Sequence, residues 1–201
     1  MKEIKIWNDS ISQAQLDETV DIIKSGGIII WKTDTRYAFA CDALNKKSLE
    51  RICGLKHINP DKSRLSIVFG SISRAAEFVR IEDNMFRLLK DNIPGPFTFI
   101  FKTGSSLPKS FKERKEAGIR FPDSETVIKI VEKLENPMMT ASLPDEDPDY
   151  AVNPDLIKER YSHTVDLMLD FGEGTMEEST VVDCTTDVPE ITKQGKGELH
   201  I

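Results

Sequence analysis

Six residues carry groups suited to holding an anion and stand near the ends of expected strands: Thr33, Thr98, Arg120, Ser179, Thr180 and Lys193. Arginine presents a planar fork of donors that matches a carboxylate, and serine or threonine hydroxyls donate to phosphate oxygens. A cleft with this lining binds phosphate or carboxylate. Each residue alone reads as an ordinary surface side chain; together they predict an anion site without naming a reaction. Lys56 is a further candidate. It shares a helical face with Leu49, Ile52 and Cys53, so its ammonium either snorkels off a helix end or stands at the mouth of a cleft.

Several other chemistries lack their sequence signatures. There is no G-x-x-x-x-G-K-[ST] phosphate loop, no G-x-S-x-G elbow and no H-E-x-x-H zinc helix. His57, His163 and His200 show no ligand spacing, and Cys53 with His57 does not complete a metal site, so no metal is expected. Cys41, Cys53 and Cys184 are too few and scattered for a disulfide framework and suit a reducing cytoplasm. The chain has 201 residues, with 27 Lys and Arg against 34 Asp and Glu, for a net charge of −7. That balance argues against gripping nucleic acid with the whole surface but leaves room for a local basic cleft. Lys109, Lys112, Arg114 and Lys115 form one basic cluster. Met1–Trp7 lacks the apolar run of a signal peptide, and Gly26–Trp31 is far too short for a membrane span.

Spacing indicates the elements that would position these groups. Ser10 and Gln13 read as a capping box ahead of a helix with Leu16, Val20 and Ile23 on one face, stopped by Gly26. Gly27–Trp31 is apolar throughout, as in a strand covered on both sides, and Lys32-Thr33-Asp34-Thr35 follows at its C-terminal end, where open α/β sheets bind ligands. A helix over 46–56, a strand over 65–69 and helices over 72–79 and 83–92 come next. Pro94-Gly95-Pro96 breaks the chain before Phe97–Phe101, whose three Phe share one face while Thr98 and Ile100 take the other. In Ile119-Arg120-Phe121 the arginine opposes its apolar neighbours. A helix through Val127, Ile128, Val131 and Leu134, a strand over Met138–Ala141, an acidic loop over Asp145–Asp149 and a helix over 153–160 follow. Strands over 165–169, 180–184 and 190–192 close the chain. The mixture predicts one α/β domain over residues 1–201, with parallel and antiparallel pairs in its sheet.

This order of segments resembles the YrdC-type family, whose enzymes make threonylcarbamoyl-adenylate for tRNA modification. The family's P-T-E-T-x-Y-G-L reads here as Lys32-Thr33-Asp34-Thr35-Arg36-Tyr37-Ala38-Phe39, and its K-x-R as Lys56-His57-Ile58. P-G-P-x-T is matched by Pro94–Thr98, R-x-P by Arg120-Phe121-Pro122 and T-S-A-N by Thr140-Ala141-Ser142-Leu143. S-T-V-V-D is matched by Ser179–Asp183, and the final R-x-G by Lys193-Gln194-Gly195. The segment Met139–Pro144 with its acidic loop is most similar to the YciO subgroup.

The resemblance implies a single-domain twisted mixed sheet with flanking helices and a concave ligand-binding cleft. It implies a reaction of L-threonine, bicarbonate and ATP giving threonylcarbamoyl-AMP and pyrophosphate, with no protein nucleophile and no single catalytic residue. Thr33, Arg120, Thr98 and Thr140 would line the amino-acid side; Lys56, Ser142, Ser179, Thr180 and Lys193 would surround the ATP phosphates. Mg²⁺ would accompany ATP, held mainly by the phosphates. The departures are Ile58 for Arg, Leu143 for Asn and Ala141 for Ser. Replacing Arg removes a permanent cation and five donors, so weakened synthesis is expected, with Lys62 or Arg64 as candidate substitutes. Two alternatives stand beside this reading. One is binding of tRNA or double-stranded RNA, which is recognised largely by shape and backbone. The other is a related nucleotide-binding enzyme with a different substrate.

Overall fold

The computed structural model describes residues 1–59, 65–104, 115–144 and 146–201. Its strands are β1 (Lys2–Lys5), β2 (Ile29–Lys32), β3 (Tyr37–Asp42), β4 (Ser66–Val68), β5 (Phe97–Lys102), β6 (Glu116–Arg120), β7 (Met138–Ser142), β8 (Leu167–Asp170), β9 (Thr180–Asp183) and β10 (Glu190–Lys193). The helices are α1 (Gln13–Lys24), α2 (Lys46–Leu55), α3 (Ile72–Ala76), α4 (Asp83–Asn92), α5 (Glu125–Leu134), α6 (Asp149–Val152) and α7 (Pro154–Tyr161). All ten strands join one sheet in the order β1-β8-β2-β3-β7-β4-β6-β5-β9-β10. The β1–β8, β8–β2, β4–β6 and β5–β9 pairs are parallel and the others antiparallel. The chain is a single α/β domain with a mixed sheet.

Alternation along the strands sorts the side chains into two layers. On one face Phe99, Phe101, Ile119, Ile67 and Met139 pack with Leu49 and Ile52 of α2, Met85 and Leu89 of α4, and Ile157 of α7. On the other, Ile29, Trp31, Ala38, Met138 and Leu167 pack with Leu16, Val20 and Ile23 of α1 and Val127, Ile130 and Val131 of α5. Each such aliphatic or phenyl group stabilises the fold by about 1.5–3 kcal/mol on burial. This second apolar layer stops at β4. Farther along the same face, β6, β5 and β9 present Gly118 and Arg120, Thr98 and Ile100, and Val181 and Asp183, which line a cavity. The cleft is therefore the part of the sheet that α1 and α5 leave open.

Three expectations are revised. The α1 cap is Ser12 with Gln15, not Ser10 with Gln13: Ser12 N donates to Gln15 Oε1 at 3.0 Å and Gln15 N to Ser12 Oγ at 3.4 Å. Both pairs fit the S-x-x-Q pattern, but Ser10 is spent on a turn, its N–H donating to Trp7 O at 3.0 Å. Strand β1 was not expected, being a short, mixed run. Strand β3 was not expected either: its two alanines have low strand propensity, yet all six residues are buried. Gly26 ends α1 with φ +87°, as its left-handed position requires. Lys62, Arg64, Lys109, Lys112, Arg114 and Asp145 lie outside the described residues. No helix among the described residues is long and apolar enough to cross a membrane.

Candidate functional site

The turn between β2 and β3 brings Thr33, Asp34 and Thr35 against the end of β6. Arg120 Nη2 donates to Asp34 Oδ1 at 3.0 Å, Thr35 Oγ1 at 3.1 Å and Thr33 Oγ1 at 3.3 Å. The two threonine hydroxyls are 3.2 Å apart, and Asp34 Oδ2 also accepts from Asp123 N at 3.3 Å. Arg120 is only 7% exposed. Burial holds its pKa below the ordinary value, and the Asp34 carboxylate opposes that shift. The three acceptors all sit on Nη2, while Nε is buried without a partner. An orphaned buried donor on a guanidinium costs about 1–3 kcal/mol or more.

The cavity beside Arg120 has a volume of about 580 Å³, within the range of small-molecule sites. Ser66, Gly118, Ile100 and Val181 line it together with the hydroxyls of Thr98, Thr140, Ser142, Ser179 and Thr192, and Lys115, Glu116 and Asp183 add charge. Thr98 Oγ1 and Ser179 Oγ are 2.9 Å apart and bridge β5 to the start of β9. Gly118 keeps the floor low: a Cβ there would come within 3.1 Å of Ser66 Oγ and Thr98 Cγ2. A side chamber of about 100 Å³ shares Arg120, Ser142, Ser179 and Val181 with the main cavity and adds Thr35, Arg36, Glu178 and Lys193. Among the described residues no group of three or more His, Cys, Asp or Glu could hold a metal ion.

Thr98, Arg120, Ser142 and Ser179 line the main cavity, and Lys193 lines the side chamber that shares three of them; Thr33 lines neither and joins the site only through its contact with Arg120. Lys56 stands at the edge of the site, its Nζ donating to the Ser142 carbonyl. Thr140 lines the cavity, but its hydroxyl accepts from Trp31 Nε1 at 3.2 Å and donates to Phe39 O at 3.3 Å, so it is already committed. Thr180 does not join the site. Neighbouring strand residues point to opposite faces, and with Ser179 and Val181 on the cavity side, Thr180 is turned into the protein. It is fully buried and binds the C-terminal segment, donating to Gly197 O at 2.6 Å and accepting from Gly195 N at 3.0 Å. Sequence reasoning left out Asp34, Thr35, Arg36 and Glu178, although three of these share a motif with Thr33 and the fourth directly precedes Ser179.

A family described as Telomere recombination, the Sua5/YciO/YrdC family, matches residues 21–195. The chain belongs to this family. The YciO protein of Escherichia coli K12 is 30% identical over 197 residues, covering 96% of this chain and 95% of that one. The crystal structure of E. coli YciO superposes with a TM-score of 0.89, covering 98% of each chain. A putative threonylcarbamoyl-AMP synthase of Methanocaldococcus jannaschii is 27% identical over 86% of this chain and 82% of its own. The Pyrococcus abyssi Sua5 structure complexed with L-threonine shares the fold at 22% identity and TM-score 0.84, covering 97% of this chain and 58% of that one.

The two departures expected to weaken a Sua5/YciO/YrdC site turn away from the cavity. Leu143 is 2% exposed inside the helix-covered apolar layer, and Ile58 packs against the same layer. Only Ala141 of the departing positions reaches the cavity.

Proposed function

We propose that this chain is a nucleotidyltransferase of the threonylcarbamoyl-AMP synthase type, joining L-threonine, bicarbonate and ATP and releasing pyrophosphate. The observation that carries this reading is Arg120, a buried guanidinium that lines both the hydroxyl-rimmed cavity and its side chamber. The name of the M. jannaschii relative and the threonine in the P. abyssi structure supply the substrate class. Arg120, oriented by Thr33, Asp34 and Thr35, receives the amino-acid carboxylate. Ser142, Ser179 and Lys193, with Thr98 and Lys56 close by, face the phosphates.

The threonine amine and bicarbonate condense to a carbamate with loss of water, and a carbamate oxygen attacks the α-phosphorus. A new P–O bond forms, the bond to the β-phosphate bridging oxygen breaks, and pyrophosphate leaves with the electron pair. No side chain becomes covalently attached; orientation and charge neutralisation supply the rate. Asp34 and Glu178 are already held by arginine and lysine, while Glu116 and Asp183 also line the cavity; Mg²⁺ would enter with the nucleotide, held mainly by its phosphates. The RNA-binding alternative drew on a basic cluster of which Lys109, Lys112 and Arg114 lie outside the described residues, and no described observation favours it.

The test is pyrophosphate release by the purified protein with all three substrates and with each omitted, and mass spectrometry of the product. The expected outcome is release that depends on all three, with threonylcarbamoyl-AMP formed. Threonine-independent ATP cleavage, or none with any combination, would overturn the proposal.

A further inference from the structure

Glu178 directly precedes Ser179, and its carboxylate lies between two cations of the side chamber. Oε1 is 3.4 Å from Arg36 Nη2, and Oε2 is paired with Lys193 Nζ. The Arg36 side chain is 13% exposed and that of Glu178 36%, so the contact is sheltered without being sealed. The backbone fixes where the carboxylate starts. The Glu178 carbonyl accepts from Lys196 N at 2.8 Å, and Gly195 passes so close that a Cβ there would lie 2.4 Å from that carbonyl oxygen. The arrangement repeats around the rim: Asp34 is held by Arg120, and Glu177 lies 3.1 Å from Lys196 Nζ. In the lining of the two spaces Arg36, Lys115, Arg120 and Lys193 stand against Glu116, Glu178 and Asp183, with Asp34 on Arg120, so the site is nearly neutral before any ligand arrives.

The geometry points to Glu178 as a built-in counter-anion: it occupies the seat between Arg36 and Lys193 that the polyphosphate of a nucleotide takes, and it selects a metal-neutralised polyphosphate over a bare one. This rests on reading the cavity as a nucleotide site. A bare polyphosphate must displace a like charge and is repelled by it; one carrying Mg²⁺ brings less charge and is repelled less. Glu178 touches the seat without any part in bond making, so it determines affinity and ligand form.

The test is calorimetric binding of inorganic tripolyphosphate, with and without Mg²⁺, to the full chain as wild type, Glu178→Gln and Lys193→Gln. Glutamine keeps the length and an acceptor while removing the charge, and loss of these partly exposed ion pairs leaves the fold nearly unchanged, which circular dichroism checks. Glu178→Gln is expected to bind free tripolyphosphate about fivefold to thirtyfold more tightly. The gain is expected to be smaller with Mg²⁺, Lys193→Gln to bind more weakly in both, and L-threonine affinity to stay the same. Equal or weaker binding by Glu178→Gln overturns the inference, weaker binding meaning that Glu178 positions the two cations. An equal gain with and without Mg²⁺, or no tripolyphosphate binding to either protein, overturns it as well. The two readings fail separately. If tripolyphosphate responds as expected but pyrophosphate is never released from ATP, the counter-anion stands and the synthase falls. If synthesis occurs while Glu178→Gln binds tripolyphosphate like wild type, the reverse holds.

Discussion

Replacing Asp34 by Asn isolates the contact on which the site is built. The Arg120–Asp34 pair is 3.0 Å long, with side chains 8% and 9% exposed. Removing one partner of a well-buried pair costs about 3–5 kcal/mol. Asparagine keeps a hydrogen-bond acceptor, and Thr33 and Thr35 still accept from Nη2, so the loss is set by the charge-assisted part alone, about 1.5–3 kcal/mol. For a domain of this size that corresponds to a fall in Tm of roughly 3–12 °C. The variant also leaves the guanidinium without its resident carboxylate, so a ligand carboxylate is bound more strongly than before. Thermal melts of both proteins across an L-threonine titration measure this. L-Threonine is expected to raise the Tm of Asp34→Asn more than that of wild type, in keeping with stabilisation that grows with the logarithm of ligand concentration over Kd. A variant that melts like wild type would show that the pair contributes nothing. A destabilised variant on which threonine has no effect would show that Arg120 does not bind the ligand carboxylate.

Restoring the family's polar residues is expected to harm the protein without helping it. Leu143→Asn strands an amide in an apolar layer at a cost of about 2–5 kcal/mol, and urea melts of Leu143→Asn and Ile58→Arg should show the loss with no increase in pyrophosphate release. Gly118→Ala brings a Cβ within 3.1 Å of Ser66 and Thr98 and should cost about 1–3 kcal/mol while lowering ligand affinity, read together by melting and calorimetry. Cys184 is buried, which pushes its thiol up to about 12, and burial raises Cys41 in the same direction. Neither should react with a thiol reagent at pH 8 until urea is added, and prompt labelling of the native protein would contradict the packing.

Much of the site was legible because strand alternation carries it. Phe97–Phe101 put Thr98 on the face opposite three phenyl rings, and Ile119-Arg120-Phe121 put the arginine on the same side. The same rule shows that Ser179 and Thr180 cannot both enter one cleft, but choosing between them needs the parallel register Phe97↔Thr180, which local sequence does not contain. Thr140 lines the cavity, yet its hydroxyl is consumed by Trp31, 109 residues away. Strand β3 was missed because it is central and covered on both faces, so no alternation marks it. The roles of Asp34 and Glu178 were hidden for a related reason: a carboxylate's partner is fixed by tertiary approach, and spacing along the chain predicts none of these pairs.

The strand order has a kinetic consequence. Arg120 meets the β2–β3 turn across 85 to 87 residues, and Thr98 meets Ser179 across 81. Neither contact can form within a short stretch of chain, so the site does not exist until the middle of the sheet has closed. Such non-local pairings fold slowly. A ligand has nothing to grasp in the half-formed sheet and cannot speed its assembly. It acts on the finished protein alone, and its stabilisation is expressed as slower unfolding with the folding rate unchanged.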